Sequence, residues 1–149
     1  MHGFIRYSFT IVAAFCLVAF AGERAGGASA AGEPARASDD AVKARDLYIA
    51  QCSACHQPDG DGLPGVFPPL KGSAVVNKDD ATKHIQAVLN GMQGAKVSGV
   101  VYASVMPPFS GTLNDADIAD IINFERRSWG NHGQPVTAAQ VAAERAKPK

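Results

Sequence analysis

Apolar stripes of helical period alternate along this chain with stretches rich in glycine and proline, and the first stripe stands apart. An apolar run from Phe9 to Phe20 follows Arg6 and is short for a bilayer crossing. Small residues come next, with cleavage candidates at Ala19-Phe20-Ala21 and Ala28-Ser29-Ala30. The pattern is that of a secretory signal peptide over residues 1–30, cleaved after Ala21 or Ala30, with an uncleaved anchor as the alternative. Residues 31–38, small and polar, read as a flexible lead-in.

Three helices and a shorter fourth follow. Ser38 or Asp39 can cap a helix through Val42, Leu47 and Tyr48 into Cys52, with Asp40 at its positive end. Ala81, Ile85, Val88, Leu89 and Met92 share one face of a helix predicted over 79–90, and Gly91 stands where a left-handed cap is expected. Asn114 is an N-cap with Asp117 as its box partner, Leu113 and Ile118 form a staple, and Ile118, Ile121 and Ile122 make the buried face. That helix is expected to end near Arg126-Arg127. Thr137, Gln140, Val136 and Val141 repeat the capping pattern in a tail, and Val100-Val101-Tyr102 is the one extended piece. The class is all-α: one domain over 39–132 and a tail over 133–149 with a short helix.

Composition sharpens this picture. With 15 glycines, 9 prolines and 7% aromatic residues, the side chains offer little large apolar surface, which a central cofactor would supply. Lys and Arg number 14 and Asp and Glu 14, so no basic excess favours nucleic acid and no net charge steers partners over distance. Of the three cysteines, Cys16 lies in the leader, and the bulky Phe15 before it argues against a lipoprotein site. Export leaves Cys52 and Cys55, too few for a disulfide framework.

Those two cysteines carry the chemistry. Cys52-Ser53-Ala54-Cys55-His56 is the C-x-x-C-H signature of c-type haem attachment. Both thiols can add to the vinyl groups of one porphyrin, and the adjacent histidine then falls beneath the iron. A zinc site would need two more ligands of a second pair. A thioredoxin-like motif would need a βαβ setting. A Cys52–Cys55 disulfide would leave His56 idle. Gly60-Asp61-Gly62-Leu63-Pro64-Gly65 matches G-x-G-x-x-G, but no strand precedes it and Phe67-Pro68-Pro69-Leu70 cannot open a helix. Its glycines are expected to turn the chain and approach a flat cofactor.

Four side chains compete for the sixth coordination position. Met92 sits on an apolar helix face and suits core packing; His84, one turn before Val88, suits a surface or half-buried place; His132 lies in a loop. Met106, in Met106-Pro107-Pro108-Phe109, is held in a loop stiffened by two prolines and is the favoured thioether ligand. His/Met ligation raises the reduction potential and leaves no open site for substrate.

The C-x-x-C-H motif, the Pro68-Pro69-Leu70-Lys71-Gly72 element, the Met106-Pro107 loop and the C-terminal helix resemble a class I monohaem cytochrome c over nearly the whole exported length. The resemblance implies a cytochrome c fold, with helices and Gly/Pro-rich loops wrapped around one covalently bound haem c per chain. It implies that the Pro68 carbonyl accepts the Nδ1–H of His56. It also implies that first and last helices cross at Ala44, Tyr48 and Phe124, with Ala44 in place of the family's usual glycine. Cys55-His56-Gln57, Val66-Phe67-Pro68-Pro69-Leu70, Tyr102 four before Met106, and Ser128-Trp129-Gly130-Asn131 are similar to the cytochrome domains and subunits of alcohol and gluconate dehydrogenases, which usually carry three haems.

The expectation is a periplasmic one-electron carrier with no catalysis of its own, exchanging electrons with a dehydrogenase, terminal oxidase or reductase and meeting a membrane only through a partner complex. Cys52, Cys55, Pro68, Leu70 and Tyr102 are the expected haem-binding residues and His56 and Met106 the iron ligands. Ile85, Leu89, Val101 and Phe109 are further pocket candidates, and Tyr102 and Trp129 have polar ends for a propionate. Docking is expected at a haem edge near Cys52, Val66 and Met106-Pro107, with Lys71 and Lys96 around it. The alternatives are a subunit fixed to a dehydrogenase, nitrite reductase or oxidase, with the tail helix as a candidate contact, and a peroxidase-like or gas-sensing protein with a labile Met106.

Overall fold

The computed structural model describes residues 33–148, with side chains from residue 37 onward. The expected signal peptide, its candidate cleavage sites and Cys16 lie outside the described residues. Helix α1 spans Glu33–Gln51, α2 Ser53–His56, α3 Ala74–Asn77, α4 Thr82–Asn90, α5 Asp115–Arg127 and α6 Ala138–Arg145. Strands β1, Ala95–Val97, and β2, Val100–Tyr102, form an antiparallel hairpin. Among the described residues, no helix is long and apolar enough to cross a membrane.

Helix α1 starts five residues before the expected cap at Ser38, within the segment read as a lead-in. The reason is local. Proline suits the first turn of a helix, where its missing N–H has no partner to lose. On the inner face of α1, Ala44 and Tyr48 are buried one turn apart, while Val42 points to solvent. Tyr48 packs on Phe124 of α5 with ring centroids 5.1 Å apart, and Trp129 closes the cluster at 5.2 Å from Tyr48 and 5.5 Å from Phe124. The helix pairing implied by the resemblance is therefore built on these residues.

The α5 cap is Asn114, whose Oδ1 accepts the Asp117 N–H at 2.9 Å. Asp117 meets the Asn114 side-chain amide at 2.7 Å, rather than the backbone N–H expected of it. At the far end, Arg126 is fully buried instead of trailing into water. Its Nε and Nη2 donate to the carbonyls of Gln134 and Lys78 at 2.5 and 2.6 Å, tying two loops together. Burial lowers the pKa of this guanidinium from its usual value.

Thr137 and Gln140 complete a capping box on α6. Val136 and Val141 join Ile85, Val88, Leu89, Ile118 and Ile122 in one core. Burying an aliphatic side chain of this kind stabilises the fold by roughly 1.5–3 kcal/mol. Arg145 then donates to Asp115 at 2.7 Å, to the Leu113 carbonyl at 3.0 Å and to the Ser110 carbonyl. The tail thus packs on its own domain, and Val136 and Val141 share that domain's core.

The hairpin was half legible. Val100–Tyr102 is extended as expected, but its partner Ala95–Val97 is not legible in the sequence, because three residues between Gly94 and Ser98-Gly99 are too short a run to show sustained alternation. Ser98 and Gly99, with φ of 49° and 87°, form the two-residue link between Val97 and Val100. Two positive φ values are what the right-handed strand twist demands of so short a turn.

Candidate functional site

The site begins where α1 runs into α2. The Cys52 N–H donates to the Tyr48 carbonyl at 2.9 Å and the His56 N–H to the Cys52 carbonyl at 3.0 Å, so the C-x-x-C-H motif continues the helical path. Gln57 then breaks it at φ 63°, and the Tyr48 hydroxyl holds that turn by donating to the Gln57 carbonyl at 2.6 Å. The sulfurs of Cys52 and Cys55 are not bonded to each other. Burial, followed by the nearby Glu125 and Cys55, pushes the Cys52 thiol well above its usual pKa.

His56 is buried, and its Nδ1 lies 2.9 Å from the Pro68 carbonyl oxygen. A carbonyl only accepts, so Nδ1 carries the proton and Nε2 keeps a free lone pair for a metal. The loop that presents Pro68 is stiff. Leu63 and Phe67 exchange backbone hydrogen bonds at 2.9 and 2.8 Å, and the Leu70 and Lys71 amides both bond the Gly60 carbonyl. Gly62, at φ 65°, passes so close that a Cβ would sit 2.5 Å from the Phe67 oxygen and 2.7 Å from the Pro68 oxygen. The glycine therefore lets the chain approach its own backbone. Asn131 locks the loop to α5: it accepts from the Gly72 N–H at 2.9 Å and donates to the Leu70 and Glu125 carbonyls at 3.1 and 2.8 Å.

Met106 is set by α4. The carbonyls of Val88 and Leu89, without partners inside the helix, accept the N–H groups of Phe109 and Ser110 at 3.0 and 3.2 Å. Met92 and Met106 exchange two backbone hydrogen bonds, at 3.1 and 2.8 Å. Gly91 ends the helix at φ 70°, ψ −179°, a positive-φ cap of extended ψ rather than the left-handed one expected. A Cβ there would overlap the Met106 carbonyl oxygen and stand 2.9 Å from the Pro108 nitrogen.

All seven predicted site residues line one cavity. Cys52, Cys55, His56, Pro68 and Leu70 form one wall; Tyr102 and Met106, with Phe109, come from the hairpin and the loop after it. Its lining is mainly apolar. Other expectations fail. Ile85 and Leu89 belong to the core, Val101 is 62% exposed, and the Trp129 indole donates to the Pro58 carbonyl at 3.2 Å. Met92 is half exposed and not core, because α4 stops before it. His132 is exposed. His84, expected at or near the surface, is buried with Glu125, and both line the cavity.

A mainly apolar cavity that gathers two thiols, an imidazole with a free Nε2 and a thioether fits a covalently bound haem. The cytochrome c family model matches residues 41–128. The chain belongs to the cytochrome c family. Among curated relatives, the cytochrome c subunit of a quinone-type alcohol dehydrogenase from Gluconacetobacter polyoxogenes is 38% identical over 101 residues, covering 67% of this chain and 22% of that subunit. The gluconate 2-dehydrogenase cytochrome c subunit of Pantoea cypripedii is 39% identical over 111 residues, covering 72% and 25%. Cytochrome c-552 of Thermus thermophilus is 38% identical over 107 residues, covering 66% of this chain and 81% of that protein. The chain thus spans about a quarter or less of the dehydrogenase subunits and most of the small cytochrome. Membership of this family implies a covalently bound haem c and a role in electron transfer.

Proposed function

We propose that the chain is a periplasmic carrier in which the thioether links are made by Cys52 and Cys55 and the iron is held by His56 Nε2 and Met106 Sδ. The observation that carries this is the 2.9 Å contact between His56 Nδ1 and the Pro68 carbonyl, which leaves Nε2 free in the cavity that Met106 also lines. Haem c supplies a one-electron ferric/ferrous couple. The protein's part is fixed geometry. Pro68 orients the imidazole and raises its basicity, and the Met92–Met106 bonds set the reach of the thioether. Pro68, Leu70, Tyr102 and Phe109 exclude water from the ring, and the low dielectric they create tunes the potential.

Residues 1–30 serve in this reading as the export signal. The donor is a dehydrogenase, in line with the names of the relatives, and the acceptor a terminal oxidase or reductase. Partners meet the apolar rim formed by Val66, Val100, Val101 and Val105, each more than a third exposed.

The experiment is a pair of visible spectra, oxidised and reduced, for the holoprotein and Met106→Ala. Expected is a low-spin wild type with the weak far-red ferric–thioether band, absent from the variant. A high-spin wild type, or an unchanged variant, removes Met106 from the iron and favours a peroxidase-like or gas-binding role.

A further inference from the structure

A histidine and a glutamate interrupt the apolar faces of two core helices. His84 lies in α4 three residues after Ala81 and four before Val88; Glu125 lies in α5 four after Ile121. Their side chains are 5% and 4% exposed, and His84 Nε2 meets Glu125 Oε2 at 2.7 Å. His84 Nδ1 is buried without a partner. Both residues line the same cavity as Cys52 and His56. An apolar pair of the same volume would complete the core at no desolvation cost, so electron transfer by itself does not account for the pair.

Its surroundings leave its charge uncompensated. From α1 comes Tyr48, and from its junction with α2 Cys52, both pushed up by burial and by the charge of Glu125, and so neutral. From α5, the Arg126 guanidinium is turned to the Gln134 and Lys78 carbonyls. On α4 itself Lys83 is exposed. From α6, Glu144 pairs with Gln86 and Lys147, and Arg145 with Asp115. His56, from α2, holds its Nδ1 proton on Pro68. No titratable side chain comes from α3. One proton therefore changes the net charge of this wall by a full unit.

We propose that His84 and Glu125 form a redox-linked proton site. When the haem gains an electron from the donor protein, the pair takes one proton from solvent; on oxidation the electron leaves to the acceptor and the proton returns to solvent. The sign follows from charge, since reduction adds one negative charge to the cavity and tightens proton binding. For a charge about 12 Å away at an effective dielectric near 20, that tightening is about tenfold. The inference rests on the haem occupying this cavity, which the low-spin spectrum checks independently.

The test is a potentiometric titration across pH on the holoprotein, Glu125→Gln and His84→Gln. The wild-type midpoint potential is expected to fall with rising pH between two plateaus about 59 mV apart, the tenfold change for one electron. Both variants, with the His/Met spectrum intact, are expected to be flat. A flat wild type, or a slope that persists in both variants, overturns the proposal. If the variants do not mature, NMR of the wild-type His84 ring decides: ring signals that respond differently to pH in the ferric and ferrous protein support the linkage, and identical responses refute it.

Discussion

Gly91→Ala puts the attachment of Met106 under direct strain. At φ 70° and ψ −179°, Gly91 occupies a region essentially closed to other residues, a backbone cost of about 1–3 kcal/mol. The new methyl group also overlaps the Met106 carbonyl oxygen, and it lies 2.9 Å from the Pro108 nitrogen and 3.0 Å from the Pro107 carbonyl carbon. Backbone cannot swing aside like a side-chain tip, and overpacking of this kind costs roughly another 1–3 kcal/mol. The sum, roughly 2–6 kcal/mol and about 4 at its middle, divides between loss of global stability and displacement of the Met106 segment. If half of the middle value falls on the segment, the form with the thioether detached rises about thirtyfold. Guanidinium unfolding reads the first share; carbon monoxide binding to the ferrous protein and the far-red band read the second. Gly94→Ala is the control, since Gly94 also has positive φ, at 66°, but nothing lies within 4 Å of its added methyl. It should lose about 1–2 kcal/mol and bind no carbon monoxide. If Gly91→Ala matches Gly94→Ala in both assays, the close approach does not position Met106 and the reasoning is wrong.

Two further outcomes concern stability. Asn131→Ala removes an amide that bonds Gly72, Asn77, Leu70 and Glu125, leaving buried polar groups unpaired; the expected loss is about 2–4 kcal/mol by denaturant titration, and a loss under 1 would mean that water replaces it readily. Asp80 accepts the Thr82 N–H at 3.0 Å, and chiefly this bond holds its carboxyl below the usual range. A depressed folded pKa contributes stability that is present above the unfolded value and lost as pH falls through the folded one. Asp80→Asn should thus be less stable than wild type at neutral pH, with the gap closing as pH falls below the ordinary carboxylate range; a gap independent of pH would contradict the assignment.

Much of this could be read from residues whose partners lie close in sequence. Asn114 and Thr137 cap as expected because an N-cap finds its N–H groups within three residues. Most cavity residues were legible because they belong to short motifs, C-x-x-C-H, P-x-L-x-G and Met-Pro, and Tyr102 by its place four before Met106. What escaped depends on distant partners. His84 and Glu125 are 41 positions apart, and each alone looks like a surface residue. The signal was their place in otherwise apolar stripes. Arg126 looked like a helix-end cation because nothing local shows that Gln134 and Lys78 carbonyls await it. The early start of α1 was hidden by small and charged residues that suit a helix and a linker equally well.

The two walls of the cavity are fastened very differently. The wall bearing His56 is tied through Pro68, Gly62, Asn131 and the Tyr48–Phe124–Trp129 cluster to α1 and α5. The hairpin wall rests on two three-residue strands, the paired amides of Met92 and Met106, and exposed valines at 100 and 101. Amides of the first wall therefore open to solvent only when the whole molecule unfolds, whereas those of the hairpin open in local fluctuations of far lower free energy. The protein keeps two clocks around one cavity. The face that partners would touch can rearrange many times in the life of a single native state, while the histidine side keeps its geometry throughout.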